Sequence, residues 1–208
     1  MTGPSPTGDP AASGRPRRIL ITGGQGSGKS TLARAMAADT GVPLHELDLV
    51  AREGGGTGPE RSATARAEDV AAIAATDAWI AEGVHLGWTT PLLERAEIIV
   101  WLDHVPGREA SARMIRRFGA NAWHEMRTRR GRERFLRLRD YARHGRDLMV
   151  SVGATRRGGS EPDPFELALT PYLDRVTRCR AEDDVALLRR TLGSGDPGRR
   201  NVSRGDEP

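Results

Sequence analysis

Short apolar runs alternate with longer segments of helical periodicity along this chain. The runs at residues 17–22 and 97–102 have uninterrupted apolar centres, which is typical of strands buried in a parallel sheet. Within residues 30–39, apolar side chains recur at the spacing of one helix face. The pattern predicts strands at residues 17–22, 43–47, 78–81, 97–102 and 175–179, and helices at residues 30–39, 68–75, 90–94, about 107–150, 165–169 and 182–192.

This alternation favours the α/β class, with a parallel sheet of about five strands covered by helices on both faces. A length of 208 residues suits one domain, which we place at residues 17–193. The flanking segments 1–16 and 194–208 are rich in Gly, Pro and polar residues, and we expect both to be disordered. No run approaches 18 apolar residues, so no membrane span is expected. The single cysteine, Cys179, excludes an internal disulfide and indicates a cytoplasmic protein.

A glycine-rich loop directly follows the first predicted strand. Its sequence, GGQGSGKST, satisfies the pattern G-x-x-x-x-G-K-[ST], in which backbone N–H groups and the start of the next helix bind phosphate. Lys29 is the one lysine among 32 basic residues, and a compact ammonium suits the β- and γ-phosphates of a nucleotide. The Ser30 hydroxyl is predicted to hold Mg²⁺ and the loop to bind ATP. This phosphate loop consists of Gly23, Gly24, Gln25, Gly26, Ser27, Gly28, Lys29, Ser30 and Thr31.

Acidic residues follow three of the predicted strands: Asp48, Glu82 and Asp103. Ligands of open parallel sheets bind at the carboxyl ends of the strands, where the phosphate loop also begins. We therefore expect the three carboxylates to converge on the nucleotide and to orient the waters of Mg²⁺ or accept a proton. Any one of them could equally be a helix cap or a turn residue.

Arginine is concentrated in one segment. Residues 108–157 contain 15 arginines and five acidic residues, a net charge of +10 in a chain whose total is +4. Bidentate guanidinium groups can cover the oxygens of a moving phosphoryl group, and Arg113 and Arg117 share one face of the predicted helix. The segment at about 107–164 is therefore predicted to be a helical lid over ATP.

Two other interpretations of this arginine-rich segment remain open. Most of its arginines could lie on a solvated helical face, paired with Glu133 and Asp140. Alternatively, the segment could bind a nucleic acid, with its arginines on the phosphate backbone and with the interspersed aromatic residues Trp123, Phe135 and Tyr141.

The motifs together resemble the nucleoside monophosphate kinase-like group of P-loop proteins, and within it the adenylate-kinase-related topology modulation (FlaR-like) proteins. The likeness spans about residues 18–192 and is carried by the phosphate loop and by residues 47–48, 79–83, 99–103 and 113–117. It implies a P-loop NTPase fold, a three-layer α/β/α sandwich. It also implies Asp48 at the acceptor site, Glu82 near magnesium, Arg113 against the nucleotide base and Arg117 on the phosphates. That family usually has Asp-Gly where this chain has Glu82-Gly83.

The sequence thus predicts an ATP-dependent kinase, monomeric or homodimeric, that phosphorylates a nucleotide or another small molecule. Lys29, Arg113 and Arg117 would spread the charge of the γ-phosphoryl group, and Asp48 would orient or deprotonate the acceptor. The glycine-rich loop at residues 53–60 is expected to set acceptor choice. The alternatives are a nucleotide-dependent regulatory protein that binds DNA or RNA, and a polynucleotide kinase.

The histidines give a weak signal. All five lack the spacing of metal ligands, and we expect each to be structural or solvent-exposed. Three of them lie near the ends of predicted strands, where one could contact a substrate: His45, His85 and His104.

Overall fold

A five-stranded parallel sheet forms the centre of the computed structural model. The structure describes residues 15–53, 58–105 and 163–193, together with residues 109, 112–113, 116, 119–120, 123–124 and 127–128. The strands are β1 (Arg18–Gly23), β2 (Leu44–Glu46), β3 (Trp79–Glu82), β4 (Ile98–Leu102) and β5 (Val176–Cys179). Their order across the sheet is β2-β3-β1-β4-β5, and all four pairings are parallel. The predicted α/β class and strand number are therefore confirmed.

Helices connect the strands, mostly where the periodicity predicts them. They are α1 (Lys29–Thr40), α2 (Leu47–Ala51), α3 (Ala63–Ala75), α4 (Thr90–Arg95), α5 (Pro164–Leu169), which runs into a 3₁₀ turn (Thr170–Tyr172), and α6 (Glu182–Gly193). Helix α3 begins five residues before the predicted start, because Ser62 caps it and accepts a hydrogen bond from the Ala65 amide at 3.2 Å. Helix α2 and the 3₁₀ turn were not predicted.

Successive residues of the strands point into two separate cores, one on each face of the sheet. Ile19 and Ile21 of β1 pack with α1 and α6, whereas Leu20 packs with α2, α3, α4 and α5 on the other face. Trp79 and Trp101 belong to the second core, as their positions in predicted strands suggested, and Cys179 is buried in the first. The result is a three-layer α/β/α sandwich whose central strand leads into the phosphate loop.

The carboxyl ends of the strands meet at one edge of the sheet. The register places Ile21 of β1 and Glu46 of β2 opposite Glu82, the last residue of β3. Strand β2 ends at Glu46, earlier than predicted, because the buried Leu47 already begins α2. Asp48 therefore lies in the first turn of a helix, not at a strand end as the sequence suggested.

The arginine-rich segment is only partly described. Every described position from 109 to 128 is helical, in agreement with the predicted helix. The other positions of the predicted lid up to residue 162, including Arg117, lie outside the described residues, as do residues 1–14 and 194–208 of the predicted disordered ends. Within the described ranges no helix combines the length and apolar character that a bilayer crossing requires.

The junction between β1 and the phosphate loop provides a stability test. Gly23 has φ +142°, and a Cβ there would lie 2.4 Å from the Leu102 carbonyl oxygen. Gly23→Ala should therefore lower the free energy of unfolding in urea by about 2–4 kcal/mol. Gly24→Ala is the matched control, since a Cβ at Gly24 meets nothing within 4 Å. Equal midpoints for the two variants would contradict the geometry of this junction.

Candidate functional site

The phosphate loop turns from β1 into α1 through backbone conformations that glycine tolerates. Gly28 is the N-cap of α1 with φ 96°, in the left-handed region. The Ser27 amide donates to the Gly24 carbonyl at 3.3 Å, and the Leu32 amide closes the first turn of α1 on Gly28. The buried Ser27 hydroxyl has no hydrogen-bond partner among the described residues. An orphaned buried hydroxyl inside an anion-binding loop fits a site that is completed by a ligand.

Lys29 is held within this loop. The residue is 7% exposed, and its Nζ donates to the Gly24 carbonyl oxygen at 2.8 Å. The ammonium therefore lies against the loop that it is predicted to serve, rather than in solvent. Its charge also acts on Glu82 at the end of β3.

Ser30 and Glu82 form the central contact of the site. The Ser30 hydroxyl donates to Oε1 of Glu82 at 2.9 Å, joining the first turn of α1 to the last residue of β3. Glu82 is 4% exposed although it is ionisable. Two of the three predicted magnesium residues are thus brought together, although 52 positions separate them in the sequence.

Several groups act on the pKa of Glu82. Burial raises it above its ordinary value, and this is the largest effect. The hydrogen bond from Ser30 and the charge of Lys29 act in the opposite direction, whereas the nearby carboxylates of Asp48 and Glu46 raise the pKa further. Ionised Glu82 is therefore costly in the protein alone, and a cation placed beside it would be stabilised.

The donor set fits magnesium. A hydroxyl and a carboxylate supply hard oxygen ligands, and Mg²⁺ usually keeps several waters while it binds one or two protein oxygens and substrate phosphates. In the described ranges no group of three or more His, Cys, Asp or Glu side chains forms a potential metal cage. Ser30 and Glu82 therefore suit a metal that arrives with a nucleotide.

Asp103 directly follows β4, as predicted, and forms an ion pair there. Its Oδ2 accepts hydrogen bonds from Nε and Nη2 of Arg178 at 2.9 and 2.7 Å. The Arg178 guanidinium also lies over the Trp101 ring, 3.9 Å from its centroid. The charges that act on Glu82 come from other residues. Asp103 thus joins the end of β4 to Arg178 of β5, and its predicted role at the metal stays a prediction.

Arg113 contacts two acidic residues. Its Nη2 donates to Glu109 at 2.6 Å and to Glu182, the first residue of α6, at 3.3 Å. These hydrogen bonds raise the pKa of Arg113, and the bond to Glu109 has the largest effect. The predicted contact with a nucleotide base stays a prediction.

Asp48 has a partner that the sequence did not indicate. Its Oδ1 lies 2.9 Å from Nε2 of His85, in the loop that follows β3. The ring of His85 lies against that of Trp88, with centroids 5.1 Å apart, and the Arg66 guanidinium lies 5.4 Å from the centre of the Trp88 ring. The Asp48 side chain is 70% exposed and that of His85 is 28% exposed, so the carboxylate faces the open side of the pair.

The buried carboxylate of Glu82 should lower the free energy of unfolding of the wild-type protein. Glu82→Gln keeps an acceptor for Ser30 and removes the charge, so it should raise the free energy of unfolding at pH 7 by about 1 kcal/mol in metal-free buffer. Because the pKa of Glu82 is raised in the folded state, the wild-type protein loses stability as pH rises through that value. The advantage of the variant should therefore disappear below about pH 4.5, the ordinary pKa of the side chain.

Urea denaturation at pH 4 and pH 7 with EDTA measures this difference. Glu94→Gln, an exposed position on α4, is the control and should change stability by less than about 0.5 kcal/mol at either pH. A Glu82→Gln protein less stable than wild type at pH 7 would show that the charge is favourable where it lies.

Comparisons with known proteins give only distant similarities. The sequence matches no family model, and no curated protein matches it. A gluconokinase from Sinorhizobium meliloti 1021 is 19% identical, with a TM-score of 0.47 and coverage of 85% of this chain and 94% of its own. A sugar kinase from Janibacter sp. HTCC2649 is 17% identical, with a TM-score of 0.43 over 85% and 93% of the two chains. A shikimate kinase from Acinetobacter baumannii is 19% identical, with a TM-score of 0.38 over 77% and 97%. With every TM-score below 0.5, no functional conclusion about this chain follows from these similarities.

Proposed function

We propose that this protein is an ATP-dependent phosphotransferase that acts on a small-molecule acceptor. The observation that carries the proposal is the buried contact between Ser30 and Glu82, beside Lys29 and at the mouth of the phosphate loop. A hydroxyl and an ammonium at the start of one helix, with a carboxylate from the end of a strand, are the groups that bind a nucleoside triphosphate with its magnesium. The finer assignment, to the nucleoside monophosphate kinase-like group with a likeness to FlaR-like proteins, rests on the sequence motifs.

Each group has a distinct task in this proposal. The amides of the phosphate loop and Lys29 bind the β- and γ-phosphates, and Ser30 and Glu82 hold Mg²⁺ directly or through its waters. When bound, the ion neutralises charge that develops on the phosphate oxygens. Asp48 faces the acceptor, and arginines of the predicted lid, including Arg113 and Arg117, cover the nucleotide.

The distribution of charge along the sequence supports separate regions for the phosphoryl donor and the phosphoryl acceptor. The predicted lid at 107–164 lies in the arginine-rich part of the chain, whereas residues 47–78, between β2 and β3, contain six acidic residues and three arginines, a net charge of −3. A basic lid suits a triphosphate, which carries most of the negative charge in the reaction.

DNA or RNA binding by the arginine-rich segment is the second candidate function, and it remains a prediction from the sequence. The cytoplasmic location and the monomeric or homodimeric state also remain predictions.

Removal of the Lys29 ammonium tests the proposal. Lys29→Ala should reduce acceptor-stimulated ATP turnover by about 10²–10³-fold, because one preorganised charge on the moving phosphoryl group is lost. Lys29→Arg should also be impaired, because the broad guanidinium does not suit the enclosed position of Lys29. The measurement is ADP formation with magnesium and a panel of nucleosides, nucleoside monophosphates and small alcohols.

Arg95→Ala is the matched control, since it also removes one positive charge. Arg95 is exposed in the last turn of α4, close to the start of β4 and thus at the opposite edge of the sheet. Its variant should retain wild-type turnover. Calorimetry that finds the same affinity for magnesium-ATP in Lys29→Ala as in the wild type would contradict the role of the phosphate loop.

A further inference from the structure

We infer that the phosphoryl acceptor is an alcohol hydroxyl rather than a phosphate, and that His85 is the residue that positions Asp48 to take its proton. This inference rests on the proposed function and names the chemistry of the acceptor. Two observations support it: the contact between Asp48 and His85, and the internal partners of the three arginines between β2 and β3.

A phosphate acceptor needs cations, and those of the described segment between β2 and β3 are engaged within the protein. The three basic residues between β2 and β3 are Arg52, Arg61 and Arg66. Nη1 of Arg52 donates to the Gly58 carbonyl at 3.3 Å. Arg61 pairs with Asp69 and donates to the Val50 carbonyl at 3.1 Å. Arg66 pairs with Glu60 and lies over Trp88. An incoming phosphate would have to displace these partners.

The loop that follows β3 carries no cation that could replace them. Residues 83–89 read GVHLGWT, without arginine or lysine. The net charge of −3 on residues 47–78 adds repulsion for an acceptor that carries a phosphate. A hydroxyl-bearing acceptor without a phosphate meets neither obstacle.

The Asp48–His85 pair supplies what an alcohol needs. An alcohol must lose its proton as it attacks phosphorus, and a carboxylate within reach of the hydroxyl can accept it. Asp48 is exposed and follows two residues after Glu46, which lies opposite Glu82 in the sheet, so it belongs to the same edge as the proposed metal position. His85 holds Oδ1 of this carboxylate at 2.9 Å, and the Asp48 side chain is 70% exposed, so an acceptor can reach it.

His85 is itself fixed by its surroundings. Its ring contacts Trp88, which Arg66 covers in turn, and its carbonyl accepts a hydrogen bond from the Thr89 hydroxyl. Helix α3 and the loop after β3 thereby fix the orientation of Asp48, which lies in the short helix α2. A small displacement of a reacting group can cost about 10²-fold in rate, so this support matters for turnover.

The chemical step is balanced with ATP as the phosphoryl donor. The acceptor O–H bond breaks and its proton moves to the Asp48 carboxylate. The acceptor oxygen forms a bond to the γ-phosphorus, and the bond from that phosphorus to the β–γ bridging oxygen breaks. The electron pair of the broken bond stays on ADP, and Asp48 later releases its proton to solvent.

Matched acceptor pairs test the substrate class. Each nucleoside is compared with its own 5′-monophosphate, and sugars and polyols are added, with magnesium-ATP and detection of the phosphorylated product by ³¹P NMR. At least one hydroxyl acceptor should increase turnover by about 10-fold or more over water, and the monophosphates should not. Monophosphates that are phosphorylated on phosphate while all alcohols stay inactive would overturn the inference and leave the phosphotransferase intact. ATP turnover that no acceptor of either class increases would overturn both.

Variants of His85 test the positioning role with the active acceptor. Phenylalanine keeps the ring against Trp88 but loses the hydrogen bond, so His85→Phe should lower kcat by about 10–10²-fold with little change in the acceptor KM. His85→Gln restores a donor near the Nε2 position and should recover to within about 3-fold of wild type. Asp48→Asn should lose at least as much kcat as His85→Phe.

His45→Gln is the control for this set, because His45 lies on β2 outside the Asp48–His85 pair. It should keep wild-type kcat, and thermal unfolding checks that all variants are folded. If His85 has a purely structural role, the Gln and Phe variants should lose kcat equally, or their KM should rise while kcat stays unchanged. Either result would overturn the positioning role.

Discussion

The burial of Glu82 is the constraint on which the rest of the site depends. Parallel pairing of β1 with β3 places this residue beside the phosphate loop and within reach of Ser30. The carboxylate is almost enclosed, and burial raises its pKa. A buried charge is tolerated where hydrogen bonds and counter-charges offset its desolvation, and Ser30 and Lys29 supply both here. The same features that make Glu82 costly in the protein alone make it a strong partner for a cation.

The strand register then distributes the remaining chemistry along one edge of the sheet. Glu46 lies opposite Glu82 on β2, and Asp48 follows in α2, so negative charge increases away from the phosphate loop toward the acceptor side. The basic segment follows β4 in the sequence. Under the proposed function, this division of charge would assign the basic segment to the triphosphate and the acidic residues to the acceptor.

Much of this arrangement could be predicted from the sequence. The apolar run before Gly23 and the motif itself determine β1, the loop and α1, and the rule that parallel strands end at a common edge predicted the meeting of Ser30 with Glu82. Helix α2 was not predicted, because five residues are too few to show a helical period. Asp103 follows its strand as predicted, yet its partner is Arg178 of β5, and only the register between β4 and β5 reveals that pairing. The partnership of His85 with Asp48 joins positions 37 residues apart and has no spacing signal, apart from the position of His85 just beyond β3.

The presence of glutamate rather than aspartate at the end of β3 has a geometric consequence. Families that this chain resembles usually have Asp-Gly there, and a shorter side chain from the same backbone position would stop about one methylene short of Ser30. Glu82 spans that distance and makes a direct 2.9 Å hydrogen bond. A metal held by Ser30 would thus meet the carboxylate itself or a single bridging water, with the Ser30 hydroxyl turning from Glu82 to the ion. The longer side chain therefore brings the carboxylate of β3 to the first turn of α1, next to Lys29, where the proposed magnesium would need it.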